Sequence, residues 1–342
     1  MEKILTVAVP CYNSAGYMRK CIDSLLAGGD SVEILIIDDG STKDDTLAIA
    51  QEYEKKYPTI CRAIHQENKG HGGAVNTGMA NATGYYFKVC DSDDWFDHDA
   101  YLKYLKVLKD LAGHSTPVDC VFTNFIYDKV DKNHKFTMQY KRYFPTNRVF
   151  GWDGMRPMDE AHYVLMHSIT YRTQILRDCG LQLPEHTFYV DNIYAYEPFV
   201  KVKTLYYYPV TLYHYFIGRS DQSVNADVMY SRIDQQIAVT NQMIDFAGTL
   251  RYMNLEKNQR RFILHYLGAI MMITTTLLVR HYSPENEAKK KKLWNRLRNC
   301  DYGCYIRRRY SLSGAMVNLP GKGGRKLINF GYHASQKVYG FE

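Results

Sequence analysis

The chain has 342 residues, 46% hydrophobic and 23% charged, with a formal net charge of +7. This is enough apolar content for a buried core in one large domain or two, and it excludes a collagen-like chain, a disulfide-stapled mini-protein and a mostly disordered chain. The charge is uneven: residues 289–342 hold 13 Lys/Arg against two acids, net +11, so the first 288 residues carry −4.

The first third alternates strand-like and helix-like segments. Residues 4–9 form a short β-branched run ended by Pro10. Residues 17–26 repeat apolar side chains at helical spacing and stop at Gly28-Gly29. Residues 32–37 are nearly all apolar, as in a strand buried on both faces, and Asp38-Asp39-Gly40-Ser41 breaks the run. A helix is predicted over 42–56 with Thr42 as its N-cap, then a strand over 61–65. A helix with a glycine-rich lead-in follows over 72–81, and a strand over 85–89 runs into Asp91. Such alternation predicts a parallel, doubly wound sheet, whose ligands bind beyond the carboxyl ends of the strands. Further on, residues 118–127 and 205–216 read as strands and 229–281 as helical. Residues 262–279 carry no formal charge and barely reach spanning length. With His265 and three consecutive threonines, they fit a buried helix better than a membrane span.

The eight cysteines are scattered, and Met1-Glu2-Lys3 leads straight into the first strand-like run with no secretory pattern. Free thiols in a reducing cytoplasm are the expectation. Cys300 and Cys304 lack a second ligand pair, so no zinc site is expected.

Three acidic clusters carry the chemical signal: Asp38-Asp39, Asp91-Ser92-Asp93-Asp94 and Asp191. The first two each end an apolar strand, which places carboxylates at one edge of the sheet. In an extended backbone Asp91 and Asp93 would point to the same side. Paired hard oxygen ligands of this kind hold Mg²⁺ or Mn²⁺ on a diphosphate. Asn68-Lys69-Gly70-His71-Gly72-Gly73-Ala74 brings backbone N–H groups toward an anion, but it is neither a Walker A loop nor a dinucleotide fingerprint. His71 and His167 read as hydrogen-bonded loop or core histidines rather than ligands. Trp95 reads as a border of the site, and Trp152 as a contact for a second substrate. Most of the 30 tyrosines read as packing residues.

Thr6-Val7-Ala8-Val9-Pro10-Cys11-Tyr12-Asn13, Ile36-Ile37-Asp38-Asp39-Gly40-Ser41-Thr42, the Asn68–Gly84 pattern and Asp91-Ser92-Asp93-Asp94 together resemble the family 2 glycosyltransferases over residues 4–100. The resemblance implies an α/β GT-A fold: a Rossmann-like mixed sheet flanked by helices, with a helical, basic C-terminal region. It implies a glycosyltransferase domain over 1–225, split into a nucleotide-binding half (1–113) and an acceptor half (114–225), followed by a helical region over 226–342. The implied activity is inverting, metal-dependent transfer of one sugar from a nucleotide-diphosphate sugar, by family habit a UDP-sugar, to a polysaccharide or lipid-linked glycan precursor.

Carried over by residue, Pro10, Tyr12 and Asp39 would line the nucleoside pocket. Asn68, Gly70, Gly73 and Asn76 would belong to the donor loop, and Asp91 and Ser92 would lie near ribose or sugar. Asp93, with Asp94 beside it, would hold Mn²⁺ or Mg²⁺, and Asp191 would be the base. His214 or Arg219 would reach the diphosphate. Two positions depart from the family pattern: Val190 stands where a Glu usually precedes the base, and Val75 where an Arg is common. The Gln-x-x-Arg-Trp motif of processive synthases is absent. A sugar-phosphate nucleotidylyltransferase would share sheet and metal but needs a glycine-rich basic signature near the N-terminus, which this chain lacks. A catalytically inactive sugar-nucleotide-binding protein would not need all three acidic sites. The basic tail, with Trp294, Tyr302 and Tyr305 interspersed, predicts peripheral contact of 289–342 with an anionic membrane on its cytoplasmic face. Nucleic acid is not an expected partner, since no recognition module is present.

Overall fold

The computed structural model describes residues 2–129, 136–160, 162–217, 226–326 and 328–329. The chain forms two compact units, Met1–Arg156 with Val164–Ile217, and Pro157–Tyr163 with Gly218–Glu342.

In the first unit, ten strands among the described residues form one mixed sheet: β1 (Leu5–Cys11), β2 (Val32–Asp39), β3 (Cys61–Gln66), β4 (Tyr86–Val89), β5 (Trp95–Phe96), β6 (Cys120–Lys129), β7 (Phe136–Met138), β8 (Val149–Phe150), β9 (Ile169–Arg172) and β10 (Leu205–Ile217). The order is β3-β2-β1-β4-β9-β6-β10-β5, with β7 on β6 and β8 on β10. The strands β3, β2, β1 and β4 are mutually parallel, as the alternating pattern predicts, while β9 runs antiparallel between β4 and β6. All eight residues of β2 are buried, which explains its continuous apolar run. Its one early acid, Glu33, is satisfied by Thr6 Oγ1 at 2.6 Å and the Thr83 amide at 2.8 Å.

The flanking helices are α1 (Met18–Leu26), α2 (Thr46–Lys56), α3 (Gly70–Asn81), α4 (His98–Ala112), α5 (Thr173–Cys179) and α6 (Asp191–Tyr194). Helix α3 lies hard against β1. A Cβ on Gly78 would come within 2.7 Å of the Ala8 Cβ, so any larger residue would push the helix off the sheet. Helix α2 begins four residues later than expected, and Thr42 is not its cap. The amides of Thr42 and Lys43 instead donate to Asn13 Oδ1, and Asp44 takes the Thr46 amide and hydroxyl. Trp152 is buried, its Nε1 donating to the Val202 carbonyl at 2.7 Å, so it packs the core rather than facing a second substrate. Tyr86, Tyr101, Tyr104, Tyr140, Tyr171, Tyr194 and Tyr207 are likewise fully buried, in keeping with a packing role for most tyrosines.

The second unit is helical: α7 (Ala226–Ser231), α8 (Ile233–Thr249), α9 (Lys257–Arg280), α10 (Pro284–Cys300), α11 (Tyr302–Arg309) and α12 (Leu312–Val317). Helix α9 is long and apolar enough to cross a membrane by length and composition, but 78% of its apolar window is buried within the protein. Its threonines are satisfied by neighbouring helices. Thr274 Oγ1 meets Gln236 Nε2 at 3.0 Å and Thr240 Oγ1 at 2.8 Å, and Trp294 Nε1 donates to Thr275 Oγ1 at 3.1 Å. The excursion 157–163 belongs to this unit, not to the sheet that surrounds it in sequence. His265 Nε2 reaches the His162 carbonyl at 2.8 Å, and Tyr163 packs edge-on to Tyr266.

Candidate active site

Register fixes where the acids emerge. Cys11 pairs with Asp38, and Asp39 with Gln66, while β4 ends beside them two residues before Asp91. The carboxyl ends of four parallel strands therefore open at one edge, beside a hollow of about 390 Å³. Pro10 and Cys11 line it from β1, Tyr12 from just past that strand, Asp39 from β2, and Asn68, Gly70, His71 and Ala74 from α3 and its lead-in. Its volume falls within the range of small-molecule sites.

The two acids ending β2 divide their work. Asp38 is fully buried and spent on structure, with Oδ2 2.7 Å from His65 Nδ1 and Oδ1 accepting from the Ser41 amide. Asp39 faces the hollow. Gln66 Nε2 and the Lys69 amide hold its Oδ1 at 2.7 and 2.9 Å, and Asn68 Nδ2 donates to its carbonyl.

Asp91-Ser92-Asp93-Asp94 is a tight turn rather than extended backbone, because the Asp94 amide donates to the Asp91 carbonyl at 3.0 Å. The expectation that alternation aims Asp91 and Asp93 to one side therefore does not apply. Strand β10 secures the turn. Tyr213 Oη accepts from the Asp91 amide at 3.1 Å and donates to Asp94 Oδ2 at 2.5 Å, while the Phe216 amide donates to Asp94 Oδ1 at 2.7 Å. Both Asp94 oxygens thus have partners within the fold. Burial, with the neighbouring Asp93 and Asp91 charges, pushes its carboxyl well above the ordinary range. Ser92 Oγ donates to Ser14 Oγ at 3.0 Å.

Two histidines flank Asp91. His71 Nε2 lies 2.9 Å from Oδ1, and His167 Nε2 3.9 Å from Oδ2. Burial alone would raise the Asp91 carboxyl, but His71, by charge and hydrogen bond, and His167 by charge hold it below its usual range. His167 is buried, stacked on Tyr215, and pushed down to about 4 by burial, so it is neutral at pH 7. Its backbone is anchored from below by Lys88, a fully buried amine that donates to the carbonyls of His167 and Ile169 at 2.7 and 3.1 Å. Burial lowers that amine to about 7.

Asp191 stands at the start of α6, partly buried, its carboxyl raised to about 6 by burial and brought back in part by His71. Burial tends to lower His71, yet Asp91, Asp191 and Asp39 together raise it above an ordinary imidazole. Asp91 hydrogen-bonds His71 and the Asp191 and Asp39 charges also act on it, a residue that by sequence read as an ordinary loop histidine.

The remaining expected residues fall in different places. Asn76 is a tie rather than a wall of the hollow. Its Nδ2 donates to the Leu183 carbonyl and its Oδ1 accepts from the Leu183 amide, both at 2.9 Å. Gly73 lies under Lys69, whose Cβ would be 2.3 Å from an added Cβ. His214 is outside the hollow's lining, held by Asp128 at 2.9 Å and stacked on Trp95. Arg219 lies outside the described residues.

No motif marked the segment bound by Asn76. Its backbone runs against Gly70, whose left-handed φ of 73° and 3.0 Å clearance to the His186 backbone leave no room for a side chain. There His186, Thr187 and Phe188 wall the hollow, with Phe188 39% exposed across from the half-exposed Tyr12.

A divalent cation fits this chemistry. Ligand atoms of Asp91, Asp94 and His167 lie within 4.8 Å of one another, and Asp93 occupies the same turn. Carboxylate oxygens with one imidazole nitrogen suit Mn²⁺.

Residues 6–167 match the family model described as Glycosyl transferase family 2. The glycosyltransferase GlyA of Streptococcus pneumoniae serotype 4 is 39% identical over 113 residues, covering 32% of this chain and 16% of GlyA. The chain thus spans only a small part of such relatives' length. Among solved structures, S. aureus TarS 1–349 in complex with UDP-GlcNAc superposes with a TM-score of 0.53 at 17% identity, covering 90% of this chain and 93% of that one. The mannosyltransferase PcManGT from Pyrobaculum calidifontis, in complex with GDP-Man and Mn²⁺, gives 0.52 at 14%, covering 100% and 89%. These likenesses place the mixed sheet in the GT-A fold.

Proposed function

Residues 6–167 are a glycosyl transferase family 2 domain, and from that premise we propose that the protein is an inverting, metal-dependent glycosyltransferase. It moves one sugar from a nucleotide-diphosphate sugar, a UDP-sugar first, to a hydroxyl of a polysaccharide or lipid-linked glycan precursor, on the cytoplasmic side of the membrane. The observation that carries this reading is a nucleotide-sized hollow at the carboxyl ends of the parallel strands, lined by Asp39 and by His71, whose Nε2 lies 2.9 Å from Asp91. TarS and PcManGT, which were solved with UDP-GlcNAc and with GDP-Man and Mn²⁺, support a nucleotide-sugar donor.

In this mechanism Tyr12 stacks on the base and the Asp39 carboxylate accepts from its edge. Asp91, held by His71, takes a hydroxyl of the ribose or sugar. Asp93, in the same turn as Asp91 and Asp94, would hold the cation, which when bound neutralises charge on the leaving diphosphate. Asp191 removes the proton from the acceptor hydroxyl as that oxygen attacks the anomeric carbon, so that the diphosphate leaves from the opposite face with inversion. Holding both substrates in line supplies several kcal/mol of the barrier reduction.

A panel of nucleotide sugars assayed for Mn²⁺-stimulated nucleotide release tests the reading. Release from at least one donor is expected, and pyrophosphate release from a nucleoside triphosphate with sugar phosphate would instead identify a nucleotidylyltransferase. Binding of the donor without any turnover, with or without acceptor glycans, would leave only a binding protein. Phe188→Ala should weaken nucleoside diphosphate binding by about 5- to 150-fold, the range for losing one stacked aromatic. Isothermal titration with UDP and GDP measures this, and an unchanged Kd would remove Phe188 from the donor wall.

A further inference from the structure

The tertiary structure divides the basic tail into two halves with different employment. In α10 three of the six bases are paired internally, while Lys291, Lys292 and Arg298 are exposed. Lys289 meets Asp234 at 2.7 Å and Glu285 at 3.0 Å, Lys290 meets Glu287 at 3.0 Å, and Arg296 meets Asp245 at 2.5 Å. The apolar residues between them, Leu293, Trp294 and Leu297, are buried. Lys289, Lys290 and Arg296 therefore serve the helical unit's own packing.

The half that follows is different. From residue 302 to residue 341 the sequence contains no acid. In α11 and at the start of α12, Tyr302, Ile306, Tyr310 and Leu312 are 60%, 37%, 70% and 80% exposed. The first three are spaced four apart and share one side of the helix. Arg307 is exposed beside them, and the Arg309 guanidinium lies 5.7 Å from the Tyr310 ring. Arg308 turns the other way, donating to the Leu264 carbonyl, so it is part of the core and not of this face. Scattered exposed apolar residues are ordinary, but three spaced four apart, with Leu312 two residues on and basic neighbours, form a patch.

We propose that this face of α11 and α12 docks the protein on an anionic lipid bilayer. Tyrosine rings and aliphatic side chains enter the headgroup boundary, while arginines stay with lipid phosphates. The stretch brings positive charge and no acid of its own toward the bilayer, with Glu160 meeting it at Ser311 and Ser313. This inference stands apart from the donor site and would survive a change in the assigned reaction.

The test uses the full chain and sucrose-loaded vesicles of phosphatidylcholine, alone or with one quarter phosphatidylglycerol. Partition onto the anionic vesicles should be about tenfold stronger or more, and should fall as salt rises. Arg307→Glu with Arg309→Glu should lower it about tenfold or more, and so should Ser at Tyr302, Ile306, Tyr310 and Leu312 together. Lys55→Glu with Lys56→Glu makes the same charge change on exposed α2 and should alter partition by less than about twofold. Melting curves verify folding, and if the serine variant melts early the arginine variant decides. Equal binding to both vesicle types, equal loss in the α2 control, or undiminished binding by the arginine variant would overturn the proposal. Tighter binding of a single-stranded oligonucleotide than of vesicles would overturn it in favour of nucleic acid.

Discussion

Asp191→Asn is expected to reduce sugar transfer by about 10³-fold while leaving donor binding within about twofold, because a positioned general base contributes roughly 10²–10⁴. The substitution keeps the shape and removes only the ability to take a proton. The pH dependence gives the sharper test. Burial raises the Asp191 carboxyl to about 6. The base form is the deprotonated one, so kcat/KM should be flat above that pH. It should fall toward tenfold per unit below it. His71 lowers the Asp191 value, so His71→Gln should move this acid limb to higher pH, whatever else it does to the rate. A pH–rate profile with no limb between 5 and 7.5, or full transfer by the Asn variant, would assign the base elsewhere.

The second large effect concerns the Asp91–Asp94 turn, where adjacent acids should fail in opposite ways. Asp93→Ala should lower Mn²⁺-stimulated turnover by about 10²–10⁴, since a bound cation supplies several kcal/mol of charge stabilisation. It should change stability by no more than about 1 kcal/mol, as expected for a partly exposed turn residue. Asp94→Ala should instead destabilise by roughly 2–4 kcal/mol, because it strands the Tyr213 hydroxyl and the Phe216 amide in a buried setting. Denaturant melts and Mn²⁺ titrations of the two variants measure the contrast. Equal metal dependence in wild type and Asp93→Ala would remove Asp93 as the cation's holder.

Much of the sheet was legible in the chain because its signals are local. A strand buried on both faces is nearly all apolar, as residues 32–37 are apart from Glu33, and an acid directly after such a run emerges at the strand's carboxyl end. Asp38-Asp39 and Asp91 are therefore placed at the sheet edge by neighbouring residues alone. The α2 start was misjudged for the opposite reason. Thr42 is a good cap by type, but Asn13, 29 residues earlier, holds its amide.

The sequence by itself determined the alternating elements, the acid-ended strands, the buried character of α9 and the identity of the acids that meet. Only the tertiary structure decided which of them are spent on structure and which border the hollow. It spent Asp38 on His65 and Asp94 on Tyr213, and it set His71 against Asp91 at the hollow that Asp39 also lines. It also laced Leu183 to Asn76 in the segment whose Phe188 walls the hollow, and it paired Lys289 and Lys290 of α10 while leaving the α11 face open. Strand and helix periodicity are written in neighbouring residues. Which polar groups become partners depends on contacts between residues tens of positions apart, which leave no periodic trace in a single chain.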